Sequence, residues 1–171
     1  RLVEAVAWAI EQAAGRPIVI KMSLGSTGGP HDWTPRVVQA LDSLILRRRG
    51  IVICQSAGNY FEDDKHAMGR LAGAAAPLDV FRPRADRTDE IEIWYPGADR
   101  MTVSLADPSG AAIARVRPGQ DQVVRDATGQ PRAPRDHRLR DSNNRDKQVN
   151  ILLLGPAAAG HERLEHPGAV G

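Results

Sequence analysis

The chain is short of cysteine, of net charge and of long apolar runs. Cys54 is the single cysteine among 171 residues, so no internal disulfide can form. Cysteine usage therefore leaves the redox compartment open. Its neighbours Ile51, Val52 and Ile53 are apolar, and a buried structural thiol is expected there rather than a reactive one. Net charge is only +2, because 23 Lys and Arg face 21 Asp and Glu. That balance argues against nucleic acid or a membrane surface as partner. No apolar run approaches the ~20 residues that span a bilayer. An initiator methionine is also missing. Arg1 opens the chain, so a truncated or processed start is expected, and no signal peptide could be seen in such a chain.

What is present is ordinary globular composition, 42% hydrophobic and 26% charged, enough for one domain or somewhat more. Leu2, Val3, Val6, Ala9, Ile10 and Ala13 form one helical stripe over residues 2–14, closed by Gly15. Ile18 to Met22 reads as a buried strand. Thr34-Pro35 reads as a helix start, with Thr34 capping and Pro35 in the first turn. Val37, Val38, Leu41, Leu44 and Ile45 make a second stripe. Arg47, Arg48 and Arg49 are expected at its C-terminal end, against the negative pole of the helix dipole. Gly50 follows as a cap, and Ile51 to Gln55 is a second strand. Strand, helix and strand with tight connections form a βαβ unit with parallel strands. The first helix extends the alternation backward. Residues 1–60 are therefore expected to be part of an α/β, doubly wound parallel sheet.

From about residue 75 the pattern changes. Thr88 to Tyr95 alternates, with Ile91, Ile93 and Tyr95 on one side and Glu90, Glu92 and Trp94 on the other. Arg100 to Ala106 alternates again. Pro96 to Asp99 lies between them, and a β-hairpin is expected. Ala111 to Val116 and Gln148 to Leu154 are further strands, with a short one possible at Gln122 to Arg125. An antiparallel β-sandwich is expected from this spacing. Residues 117–147 read mainly as a long polar loop. The Arg-rich part, Arg132 to Lys147, is interleaved with Asp136, Asp141 and Asp146 and lacks Phe, Trp and Tyr. A solvated loop is the expectation there, not a nucleic-acid patch.

Two segments carry candidate chemistry. In an open α/β sheet, ligands bind at the carboxyl ends of the strands. Ser23-Leu24-Gly25 ends one strand and Ala57-Gly58-Asn59 ends the next. An amide side chain fixed above a strand end can donate to a carbonyl oxygen that gains charge during acyl transfer. The alternative for Gly58-Asn59 is a plain turn, since Asn tolerates the left-handed conformation. An exposed strand end with a glycine can take an extended peptide through main-chain hydrogen bonds. The alternative is a strand simply leaving the sheet. Ser23 lacks a Gly-x-Ser-x-Gly elbow and a local base, so it is not read as a nucleophile. Gly25 to Gly29 lacks the Gly-Lys-Ser/Thr ending of a phosphate loop. His31-Asp32 and the other histidines show no ligand spacing, so no metal and no cofactor is expected.

Val19 to Gly25, Gly29-Pro30-His31-Asp32 and Ile51 to Asn59 together resemble consecutive parts of the subtilisin-like serine protease core, the subtilases of peptidase family S8. The Gly-Pro-His-Asp loop, the stretch Asn59-Tyr60 to His66-Ala67 and Ile91 to Tyr95 look most like bacterial members with an inserted jelly-roll-like β-domain. Asp107-Pro108-Ser109-Gly110 adds a weaker likeness. The resemblance implies residues 1–75 as part of the catalytic core, 76–160 as an incomplete inserted β-domain and 161–171 as a tail. It implies that Ser23, Leu24 and Gly25 pair with substrate backbone, that Ala57 and Gly58 wall the S1 pocket, and that Asn59 is the oxyanion-hole donor. It implies a peptide or protein substrate, a secreted or cell-surface location, and a triad in N- and C-terminal parts not encoded here. Two positions depart from the pattern: Trp33 stands where a small residue is usual, and Gln55 where a small apolar one is. A non-catalytic relative that binds peptide or propeptide, and a β-module for adhesion or carbohydrate binding, are the competing readings.

Overall fold

The computed structural model describes residues 1–60, 62–63, 65–71, 80–81, 88–106, 110–126, 128–154 and 162–163. The expected turn at Asp107 to Ser109 and nearly all of the tail lie outside these residues. The chain forms two compact units, Arg1–His66 and Ala67–Gly171.

The first unit runs α1 (Leu2–Gln12), β1 (Ile18–Met22), α2 (Arg36–Ile45) and β2 (Ile51–Gln55). β1 and β2 pair in parallel, from Ile18 opposite Ile51 to Met22 opposite Gln55. The apolar stripes explain the packing. Val6 of α1, Met22 of β1 and Leu44 of α2 are buried together, joined by Leu2, Val3, Ile10, Ile20, Leu41 and Ile53. Ile20, Met22 and Ile53 alternate onto one face of the pair. Both helices therefore cover that same face. The other face carries Val19, 70% exposed, and Val52, 49% exposed.

This arrangement corrects the expected fold class. A doubly wound sheet has helices on both faces. Among the described residues the parallel sheet has two strands only, and its helices share one side. Among the described residues the regular structure is mostly antiparallel β-sheet, with two short helices. Cys54 is corrected with it: it lies on the uncovered face and is exposed. The helix ends also differ from expectation. Thr34 does not cap α2; its N–H and hydroxyl both donate to Asp32 Oδ1, at 2.8 and 2.5 Å. α2 stops at Ile45, so Arg47 to Arg49 lie beyond it. Arg48 instead donates to the carbonyls of Gly15 and Arg16 and ties down the turn before β1.

The second unit contains β3 (Val80–Phe81), β4 (Asp89–Tyr95), β5 (Val103–Ala106), β6 (Ala112–Val116), β7 (Asp121–Arg125), β8 (Pro131–Arg138), β9 (Lys147–Leu153) and β10 (Glu162–Arg163). β4, β9, β8 and β7 form a four-stranded antiparallel sheet in that order. β5 pairs with β6, and β3 with β10. The expected hairpin of β4 with β5 does not form. The turn exists, closed by Asp99 N–H to Pro96 O at 3.0 Å, but it sends the chain into a different sheet. β4 pairs over its whole length with β9.

Tyr95, Val103, Leu105, Val116, Ala133, Val149, Ile151 and Leu153 make the core of this unit. β8 replaces the loop that the sequence pattern predicts. Its inward positions are Ala133, Arg135 and His137, which carry no apolar alternation, yet all three are buried. Tyr95 Oη and His137 Nε2 share a hydrogen bond of 2.5 Å, with the rings edge to face. Burial pushes the Tyr95 phenol up to about 12. Burial likewise lowers His137, which favours the neutral imidazole. Lys147 is buried beside them and donates to the carbonyls of Gly97 and Asp99.

Candidate functional site

β1 and β2 end side by side, at Met22 and Gln55. The pairing continues one step further, because Ser56 N–H donates to Met22 O at 3.0 Å. Beyond it, side chains replace the ladder. Gln55 Nε2 donates to Leu24 O, and Ser56 Oγ reaches the same carbonyl at 3.4 Å. Ser23-Leu24-Gly25 and Ala57-Gly58-Asn59 thus leave the sheet from one edge, stitched together at Leu24. The structure brings all six of these residues to the same strand ends, and all six are exposed.

The stitching also orients the backbone. Met22 O and Leu24 O both accept hydrogen bonds from the β2 segment, from Ser56 N–H and from the Gln55 amide. The Gln55 amide satisfies a carbonyl that the ladder no longer reaches.

Gly58 has φ +97°, in the left-handed region that favours glycine. Asn59 is the next residue and is exposed. No hydrogen bond holds the Asn59 side chain among the described residues, and its two amide N–H groups are available to an outside acceptor. Ser23 Oγ likewise makes no hydrogen bond to a described His, Asp or Glu, so no nucleophile–base pair forms here.

Sequence reasoning missed the contacts that gather around Tyr60 and around His31. The ring of Tyr60 lies against Gly25 and Gly58. Lys65 Nζ sits 4.3 Å from the centre of that ring and 2.9 Å from Asp63 Oδ2. The rings of His66 and His31 meet at a tilt of 49°, with centroids 4.4 Å apart, and His31 Nε2 is 3.0 Å from Thr27 O. Only the two glycines hinted at a close approach, and nothing in their spacing names the partner. Among the described residues no group of three or more His, Cys, Asp or Glu is placed to hold a metal ion. No helix there is long and apolar enough to cross a membrane.

No family model matches this sequence, and no curated protein matches it. Among solved structures, the chain is similar to the Clostridium perfringens CspB protease, with a TM-score of 0.76 and 15% identity. The match covers 98% of this chain and 36% of that one, so this chain spans about a third of its neighbour's length. At this identity the likeness is one of fold alone.

Proposed function

We propose that this chain is the substrate-binding part of a serine endopeptidase. Ser23, Leu24 and Gly25 pair with an extended substrate backbone, Ala57 and Gly58 wall the pocket for the side chain before the scissile bond, and Asn59 donates to the oxyanion. The observation that carries this reading is the meeting of both tripeptides at one edge of the β1–β2 pair. Ser23, Leu24 and Gly25 are exposed beyond the end of β1, and exposed main chain of this kind pairs with an added strand. Further parts of the same protein supply the nucleophile, its base and the orienting acid. The α/β catalytic portion takes in residues 1–75, and the β-rich insertion follows as 76–160. Such a peptidase is secreted or displayed on the cell surface.

The same exposed strand ends would equally serve a relative that binds peptide without cutting it. Both readings share one test. Amide hydrogen exchange of the 171-residue chain should slow at Gly25 when acetyl-tetra-alanine amide is added in excess. Protection appearing only in Ala67–Gly171, or nowhere, contradicts a peptide site at these strand ends.

A further inference from the structure

The two glycines of the candidate cleft are not empty ground. A Cβ built on Gly58 would lie 2.9 Å from Tyr60 Cδ2 and 3.1 Å from its Cε2. A Cβ on Gly25 would lie 3.5 Å from the same Cε2 and 3.7 Å from the hydroxyl. One edge of the Tyr60 ring therefore rests on both strand ends at once. Only glycine at position 58 leaves room for it, since real Cβ atoms do not approach a carbon at 2.9 Å.

The ring is also held from its other surroundings. The ammonium of Lys65 stands 4.3 Å from the ring centre, within the range where a cation is attracted to an aromatic face. Asp63 holds that ammonium at 2.9 Å, and Asp63 N–H donates to Tyr60 O at 3.1 Å. The turn after Asn59 thus carries its own clamp. Tyr60 remains 39% exposed, so the ring borders solvent where an incoming side chain would arrive.

We infer that Tyr60 determines which substrate side chain this site accepts. The inference rests on the peptide-site reading above and deepens it. A substrate strand laid along Ser23 to Gly25 brings its side chain to the space between Gly25 and Gly58. Tyr60 already fills much of that space. The site accepts Gly, Ala or Ser and turns away Leu and Phe. Lys65 acts on this choice through the ring, as a positioning residue.

Two product-like peptides, acetyl-Ala-Ala-Pro-Ala amide and acetyl-Ala-Ala-Pro-Phe amide, distinguish the possibilities when titrated into the full chain and followed at the Gly25 and Gly58 amides by NMR. The unmodified chain should bind the Ala peptide more tightly than the Phe peptide by roughly tenfold or more, the scale on which a pocket rejects excess volume. Tyr60→Ala should reverse that ratio. Tyr60→Phe keeps the ring and should keep the ratio, while Lys65→Ala frees the ring and should fall between. A preference of the unmodified chain for Phe, or a ratio unmoved by Tyr60→Ala, overturns the role of Tyr60 while leaving a peptide site in place. If neither peptide binds any of the four proteins, the peptide-site reading fails and the role of Tyr60 fails with it.

Discussion

In the complete enzyme proposed here, Asn59→Ala should lower kcat by roughly 10²–10³ and leave KM nearly unchanged. That range belongs to the oxyanion asparagine of the subtilisin family and is not obtained from the present geometry. The reasoning is differential. A scissile carbonyl oxygen carries little charge in the bound substrate and nearly a full charge in the tetrahedral transition state. A donor aimed at the second position stabilises only the second state. Asn59 meets the geometric conditions available in this chain: it follows a glycine at φ +97° and has no hydrogen-bond partner among the described residues. Asn59→Asp should be at least as damaging, because a carboxylate would repel the oxyanion. Ser23→Ala should do much less, since only its backbone is proposed to hold substrate. Steady-state kinetics of the three variants decide the matter. A raised KM with kcat intact in Asn59→Ala would make Asn59 a binding or turn residue.

Ile151→Ala should destabilise the second unit by about 2–5 kcal/mol, which is much of what a small domain has to lose. Ile151 is fully buried in the middle of β9, the strand that pairs with both β4 and β8. It stands opposite Ile91 on one side and Arg135 on the other. Its removal opens a cavity between Val149 and Leu153 that the paired backbones cannot close. Urea unfolding followed by the fluorescence of Trp94, which lies in β4, reads this directly. The control is Val123→Ala on β7, 45% exposed, where a change within about 0.5 kcal/mol is expected. An Ile151→Ala loss no larger than the control's would mean that β9 is not at the centre of this unit.

The first unit was legible where its chemistry is local. Period-3.6 stripes gave α1 and α2, β-branched runs gave β1 and β2, and Gly50 at φ +85° closed the turn into β2. Which side of the sheet each helix takes is a tertiary matter. The stripes of α1 and α2 do not say that both meet Ile20, Met22 and Ile53, and so the doubly wound reading and a buried Cys54 both failed. In the second unit the alternation of Ile91, Ile93 and Tyr95 found β4 but not its partner. A good turn at Pro96 to Asp99 suggests a hairpin, whereas the pairing with β9 depends on residues far along the chain (Ile91 with Ile151, for example). β8 escaped detection because a buried Arg135 and a buried His137 occupy the positions where a strand ordinarily shows Val or Ile.

At the candidate site the order of elements was enough to bring Ser23 to Gly25 beside Ala57 to Asn59. A βαβ unit with short connections leaves two adjacent strands pointing the same way, so their carboxyl ends must coincide. Tyr60 was not legible. Its ring meets both Gly25 and Gly58, residues 33 positions apart in the chain, and the Lys65 clamp depends on the turn that Asp63 closes onto Tyr60. These are consequences of three-dimensional proximity that leave no periodic trace.

The central claim is that this chain holds the binding half of a serine peptidase site and not its nucleophile. A biotinylated fluorophosphonate, followed by mass spectrometry of the labelled peptide, tests it most directly. The isolated chain should stay unlabelled. The longer protein containing it should be labelled stoichiometrically at one serine outside residues 1–171. Labelling of Ser23, or of any serine within this chain, would contradict the claim, as would a longer protein that takes no label at all.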